Sequence, residues 1–322
     1  MNHDLVPDNP LWLDRLESFA VTQEQVDNIE SQSFFWHKLL VSGAYHVWCS
    51  PPGGGKTTIA LQAASDLSAN GYDVFFFQLD APASQLKEQY SIAKTAGFRL
   101  ITTLKEGSSE RGLVELLRQI SESECLQDCV FILDTVKKFT DINFKPAATA
   151  FYEICRAITR RGGTVLSLAH TNKYSDDGLL IPEGVGDLRN DCDNLAMMYS
   201  KKDKDTGIIS VSFEHNSERH GKSRGAEDMT LQISEAMEVS VTGYTDIRLQ
   251  EQQEQEEIHD KPVISVLLNC LGDSEKNQQQ LTSMAKERAV SARQSRRVLR
   301  HYEGIHWCVT RGANNASVYR RL

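Results

Sequence analysis

Short, uninterrupted apolar runs alternate with segments of helical period through the middle of the chain. Ala44–Cys49, Val74–Phe77, Val130–Leu133 and Thr164–Ala169 are each too short for a helix and lack the alternation of a half-exposed strand. Such runs suit strands buried on both faces, which occur in parallel sheets covered by helices. Ile59–Leu67 and Pro82–Ala96 supply intervening helical patterns. Farther on, Ile208–Phe213 alternates like a strand and Met229–Ile233 reads as another. The pattern therefore predicts an α/β core with a mostly parallel sheet. Before it, Pro10–Ala20, Thr22–Ile29 and Phe34–Leu40 read as helices, the last carrying the aromatic cluster Phe34, Phe35 and Trp36.

After residue 247 the pattern changes. Arg248–Lys261 is almost wholly Gln and Glu, too polar for a buried face, and reads as a solvated helix or tether between domains. Pro262–Leu271, Asn277–Arg288 and Ser291–His301 then show apolar-periodic helices, and Ile305–Thr310 and Ala316–Arg321 flank the turn Arg311–Asn315. Three helices and a hairpin look like a winged helix. The expected organisation is a helical segment over 1–43, a core over 44–247, a linker over 248–261 and a small C-terminal domain over 262–322.

Length and charge agree with two domains. The chain has 322 residues, more than one core usually organises, and a formal charge of -9. That charge is uneven: residues 262–322 carry ten basic and four acidic side chains, +6, leaving -15 for the rest. Arg293, Arg296, Arg297 and Arg300 recur at three- and four-residue steps in the last helix, and Ser291 is placed to cap it. An arginine face of this kind suits phosphates or base edges of duplex DNA, with Arg311 at the wing tip touching the backbone. No apolar run approaches the roughly 20 residues needed to cross a bilayer. The amino terminus lacks a secretory pattern, so a cytoplasmic protein is expected, and its seven Cys, an odd number without a zinc-site spacing, read as reduced thiols.

The chemistry concentrates after Ala44–Cys49. Ser50-Pro-Pro-Gly53-Gly54-Gly55-Lys56-Thr57-Thr58 links a strand to a helix. Glycines let backbone N–H groups curl around a phosphate, and the helix start adds its positive dipole end. Lys56 then reaches the β and γ phosphates and Thr57 holds Mg²⁺, with Gly53–Thr58 as the nucleotide cradle. Ser50 stands where the usual pattern has its first glycine. A second run, Val130–Asp134, ends in a carboxylate where a parallel strand meets the nucleotide, so Asp134 is expected to order the Mg²⁺ shell. A third ends at His170, placed to contact the γ phosphate or, alternatively, to be an ordinary satisfied histidine.

On these motifs residues 44–242 resemble a RecA-like P-loop ATPase core, of the kind found in hexameric DnaB-type and plasmid RepA replicative helicases. Phe77-Gln-Leu-Asp-Ala-Pro-Ala-Ser-Gln-Leu86 is similar to the DnaB segment S-L-E-M-P-x-E-Q-L, whose Glu activates water; the matching residue is Asp80, one methylene shorter. The alternative role for Asp80 is to cap the following helix. The resemblance also implies an arginine finger acting on a neighbouring subunit. Ser217-Glu-Arg219-His-Gly221 carries the best match in Arg219, with Lys222 and Arg224 as alternatives. DNA-gripping loops would contain Lys137, Lys138 and Lys173, whose cations suit single strands.

The resemblance thus implies a DNA-dependent ATPase that uses ATP and Mg²⁺, forms a homo-oligomeric ring or filament, and serves as a helicase or helicase-like loader for a plasmid, phage or mobile element. The other reading is an ATP-switched, sequence-specific DNA-binding regulator without unwinding activity. A small-molecule kinase is disfavoured, since nothing resembles a substrate lid and the basic tail would have no role.

Overall fold

The computed structural model describes residues 11–23, 33–171, 181–183, 188–215, 226–312 and 316–322. It divides into two compact units, Met1–Thr245 and Asp246–Leu322.

The first unit is built on a nine-stranded sheet. Its parallel part comprises β3 (Tyr45–Ser50), β4 (Asp73–Gln78), β5 (Arg99–Ile101), β6 (Cys129–Asp134), β7 (Thr164–His170) and β8 (Asn194–Lys202). β9 (Ile209–Glu214), β10 (Met229–Ile233) and β11 (Val239–Gly243) extend it antiparallel, giving the order β11-β10-β9-β8-β3-β7-β6-β4-β5. β7 lies between β3 and β6, so the strand entering the glycine loop and the strand ending in Asp134 are separated by the one ending in His170. This is the expected α/β arrangement of a RecA-like core.

Successive side chains of these apolar runs enter opposite faces. Tyr45, Val47, Phe131 and Leu133 pack with the helices Glu110–Ser121 and Lys145–Arg160 on one side. Trp48, Val130 and Ile132 pack with the helix Lys56–Ala69 on the other. Each fully buried Phe, Leu or Ile contributes roughly 1.5–3 kcal/mol, so the two cores fix where the strand ends converge.

The amino-terminal expectation needs correction. Leu11–Glu17 is helical, and residues 24–32, which hold most of the expected second helix, lie outside the described residues. Phe34–Leu40 is no helix: β1 (Phe34–Trp36) pairs antiparallel with β2 (Leu40–Val41) around His37 at φ 46°. Aromatic residues favour a pleated, half-buried surface. Trp36 is buried against the core and its Nε1 donates to Asp66 Oδ2 at 2.9 Å, securing the hairpin to the helix Lys56–Ala69.

In the second unit the Gln/Glu-rich run forms the first half of one helix, Ile247–Leu271, capped by Asp246 and containing Pro262. The helices Gln278–Lys286 and Ala292–His301 follow, the latter capped as expected by Ser291 Oγ accepting from Gln294 N. β12 (Lys276–Asn277), β13 (Trp307–Arg311) and β14 (Ser317–Arg321) form a small antiparallel sheet in the order β12-β14-β13. Three helices and this sheet enclose Leu267, Leu281, Leu299 and Trp307, an arrangement compatible with a winged helix. All seven cysteines are free, and no described helix is long and apolar enough to cross a membrane.

Candidate nucleotide site

The carboxyl ends of the parallel strands bring the phosphate-loop residues to one cavity. Ser50 is in register with His170 across β3 and β7, and Gln78 with Asp134 across β4 and β6. Gly53 and Gly55 adopt φ 77° and 84°, a left-handed backbone that side chains resist, and Gly55 is the cap from which the helix Lys56–Ala69 begins. Gly54 is required for a different reason. A Cβ there would lie 2.9 Å from Ser50 Cβ and overlap the Ser50 hydroxyl.

Lys56 is buried with its ammonium folded onto β3's end, donating to Ser50 O at 2.8 Å, Ser50 Oγ at 2.9 Å and Pro51 O at 3.1 Å. Ser50, the departure from the usual glycine, thus supplies two of the three acceptors. Burial lowers the Lys56 pKa to about 8, opposed by Cys49 and Asp134. Thr57 Oγ1 donates to Asp134 Oδ2 at 2.7 Å, and Gln78 Nε2 reaches the same oxygen at 3.0 Å. Burial raises the Asp134 pKa, while the Thr57 and Gln78 hydrogen bonds hold it down.

Gln78 was not singled out by sequence, although it stands two residues before Asp80. Its Oε1 accepts from Asp80 N at 3.0 Å and Ala81 N at 3.1 Å while its amide holds Asp134. Asp80 does not cap the next helix: Ala83–Ala96 begins after Pro82 with no side-chain cap. Instead, its carboxylate faces Lys138 Nζ at 3.7 Å and His170 Nε2 at 3.9 Å. Burial, Lys56 and Lys137 lower the His170 pKa, so the ring is neutral near pH 7, and its buried Nδ1 has no hydrogen-bond partner among the described residues.

The resulting cavity, about 560 Å³, is lined by Gly53–Thr58, Asp80, Asp134 and His170, with Ile233 and Met237 along one side. Its donor set fits a magnesium nucleotide. Backbone N–H groups and Lys56 match phosphate oxygens, and the Thr57 hydroxyl beside the Asp134 carboxylate offers the hard oxygen ligands that Mg²⁺ takes.

The other expected residues are more scattered. Lys173, Arg219, Lys222 and Arg224 lie outside the described residues. Lys137 is exposed on the 3-10 turn Val136–Lys138, whereas Lys138 is engaged by acids. In the second unit Arg293, Arg296, Arg300 and Arg311 are exposed, and the first three line one surface hollow with Arg297 and His301. Arg297 differs from them in donating to Asp260 Oδ1, a buried carboxylate on the helix Ile247–Leu271.

No family model matches the sequence, and no curated protein matches it. Among solved structures the chain is similar to the flagellar accessory protein FlaH from Methanocaldococcus jannaschii, at 11% identity over 62% of this chain and 90% of that one, TM-score 0.42. It is also similar to the solved ATPase domain of a DnaB-like helicase, at 14% identity over 63% of this chain and 85% of that one, TM-score 0.42.

Proposed function

We propose that the chain is a DNA-dependent ATPase with a RecA-like motor core and a C-terminal winged-helix DNA-binding domain, acting as an oligomeric helicase or helicase loader. The observation that carries this reading is the convergence of Lys56, Thr57, Asp134, Asp80 and His170 on one cavity at the strand ends. Bound Mg²⁺ would supply charge neutralisation at the β and γ phosphates. Thr57 and Asp134 would hold it, Gly53–Thr58 would wrap the phosphates, and Lys56 would exchange its Ser50 and Pro51 acceptors for phosphate oxygens.

Asp80 orients the attacking water and accepts its proton. His170, neutral and between Ser50 and Asp80, reports the γ phosphate to the loop that follows β7. Arg219 is the proposed finger in a neighbouring subunit's site, with Lys222 and Arg224 as substitutes, which makes hydrolysis depend on a homo-oligomer. The face bearing Arg293, Arg296 and Arg300 binds duplex DNA, and Lys137 and Lys173 touch single strands.

The second reading, an ATP-switched regulator, draws support from the exposed arginines gathered on one capped helix, as a sequence-reading helix would carry them. Forked-duplex unwinding separates the two. Unwinding that disappears in Lys56→Ala supports the helicase; sequence-specific duplex binding without unwinding sinks it and favours the regulator.

A further inference from the structure

Lys138 ends the 3-10 turn after β6, and its ammonium lies 3.7 Å from Asp80 Oδ1 and 3.7 Å from Glu110 Oε1. The other Asp80 oxygen, Oδ2, faces His170 Nε2 at 3.9 Å. The carboxylate is therefore bracketed by a lysine on one side and an imidazole on the other. Its backbone is fixed separately, since Asp80 N donates to the same Gln78 side chain that holds Asp134.

Sequence alone places Lys138 beside Lys137 in a nucleic-acid loop. Their surroundings differ: Lys137 is exposed, while Lys138 is about one third exposed and already at ion-pair distance from two carboxylates. To bind a phosphate backbone it would have to abandon both. Partly exposed pairs of this kind contribute little to stability, so the consequence of the contact is where it holds Asp80. A short side chain in place of glutamate has less reach toward water, and small errors in its aim cost rate steeply.

We infer that Lys138 is a positioning residue for Asp80, steadied by Glu110 from the helix Glu110–Ser121, and not a nucleic-acid contact. The inference rests on the reading of Asp80 as the water-orienting carboxylate.

The test uses the full chain. Lys138→Gln lowers kcat for ATP about tenfold, while ATP Kd, single-stranded DNA Kd and melting temperature stay at wild-type values; Lys138→Arg restores most of the rate. Glu110→Gln gives a smaller loss, and the double variant is no slower than Lys138→Gln alone, because both act through one contact. Unchanged kcat with weaker single-strand binding assigns Lys138 to DNA and overturns the inference. A double variant whose losses multiply removes Glu110 from it. Asp80→Asn is measured alongside: wild-type hydrolysis there overturns the reading of Asp80 itself, whereas an inactive Asp80→Asn beside a fully active Lys138→Gln overturns only the positioning.

Discussion

The Thr57 hydroxyl donates to Asp134 Oδ2 at 2.7 Å, tying the first turn of the phosphate-loop helix to the end of a strand two places away in the sheet. Both atoms are oxygens of the kind Mg²⁺ prefers, and their closeness places the two parts of a metal shell in contact before any nucleotide arrives. Thr57→Val keeps the shape and removes the hydroxyl. ATP Kd measured with Mg²⁺ and with a chelator should then show at least about a tenfold loss of the Mg²⁺-dependent increment, with little change in the chelated value.

Ser50 and Gly54 are coupled by space. Since a Cβ at Gly54 would lie 2.9 Å from Ser50 Cβ, Gly54→Ala must displace the loop. The variant should lose ATP binding, and adding Ser50→Gly should recover part of it. Equal losses in the single and double variants, read by nucleotide titration, would remove this explanation of Gly54.

Lys56 predicts a pH dependence. Its folded pKa is lowered from 10.5 to about 8 by burial, so between those values the unfolded chain binds more protons and stability rises with pH. The cost of holding the charge is fully present below pH 8 and amounts to about 3 kcal/mol at most. Wild-type protein without nucleotide should therefore gain stability relative to Lys56→Met between pH 7 and pH 10. Denaturant unfolding of both at several pH values measures the difference; parallel curves contradict it.

In the C-terminal unit, Arg296 and Arg297 are adjacent yet should behave differently. Burial pushes the Asp260 pKa up, but hydrogen bonds from Arg297 and His259 outweigh it and hold the carboxylate below its usual range. Its stabilising contribution is present above the unfolded carboxylate pKa and is lost as pH falls through the folded one. Arg297→Ala should destabilise this unit by about 1–3 kcal/mol at pH 7, and the penalty should shrink in acid. Arg296→Ala should leave the melting temperature unchanged, weaken DNA binding, and reduce its salt dependence by about one counterion.

Much of this architecture was legible because it depends on local rules. The runs ending at Ser50, Asp134 and His170 announced buried parallel strands, and a glycine loop between strand and helix has few other uses. Two features depended on contacts distant in sequence. Phe34-Phe35-Trp36 forms a hairpin because Trp36 finds Asp66 and the core, which no local period records. Gln78 became visible only when β4 and β6 paired it with Asp134.

The charge division also moved. Read from residue 262, the tail is +6; the compact unit begins at Asp246 and includes the acidic half of its long helix, giving twelve basic and ten acidic residues, +2. Glu256 and Glu257 sit 3.6 Å and 3.7 Å from His301 and His306, so the Gln/Glu run packs within its unit. DNA affinity must then come from the local arginine face and not from net charge, which concentrates the expected mutational losses in Arg293, Arg296 and Arg300.

The central claim is that this site hydrolyses ATP in response to DNA, and steady-state phosphate release with and without single-stranded DNA tests it most directly. The account predicts slow hydrolysis by the protein alone, a rise of at least about tenfold with DNA, and loss of both rates in Lys56→Ala. Hydrolysis that ignores DNA, or that persists in Lys56→Ala, would contradict it.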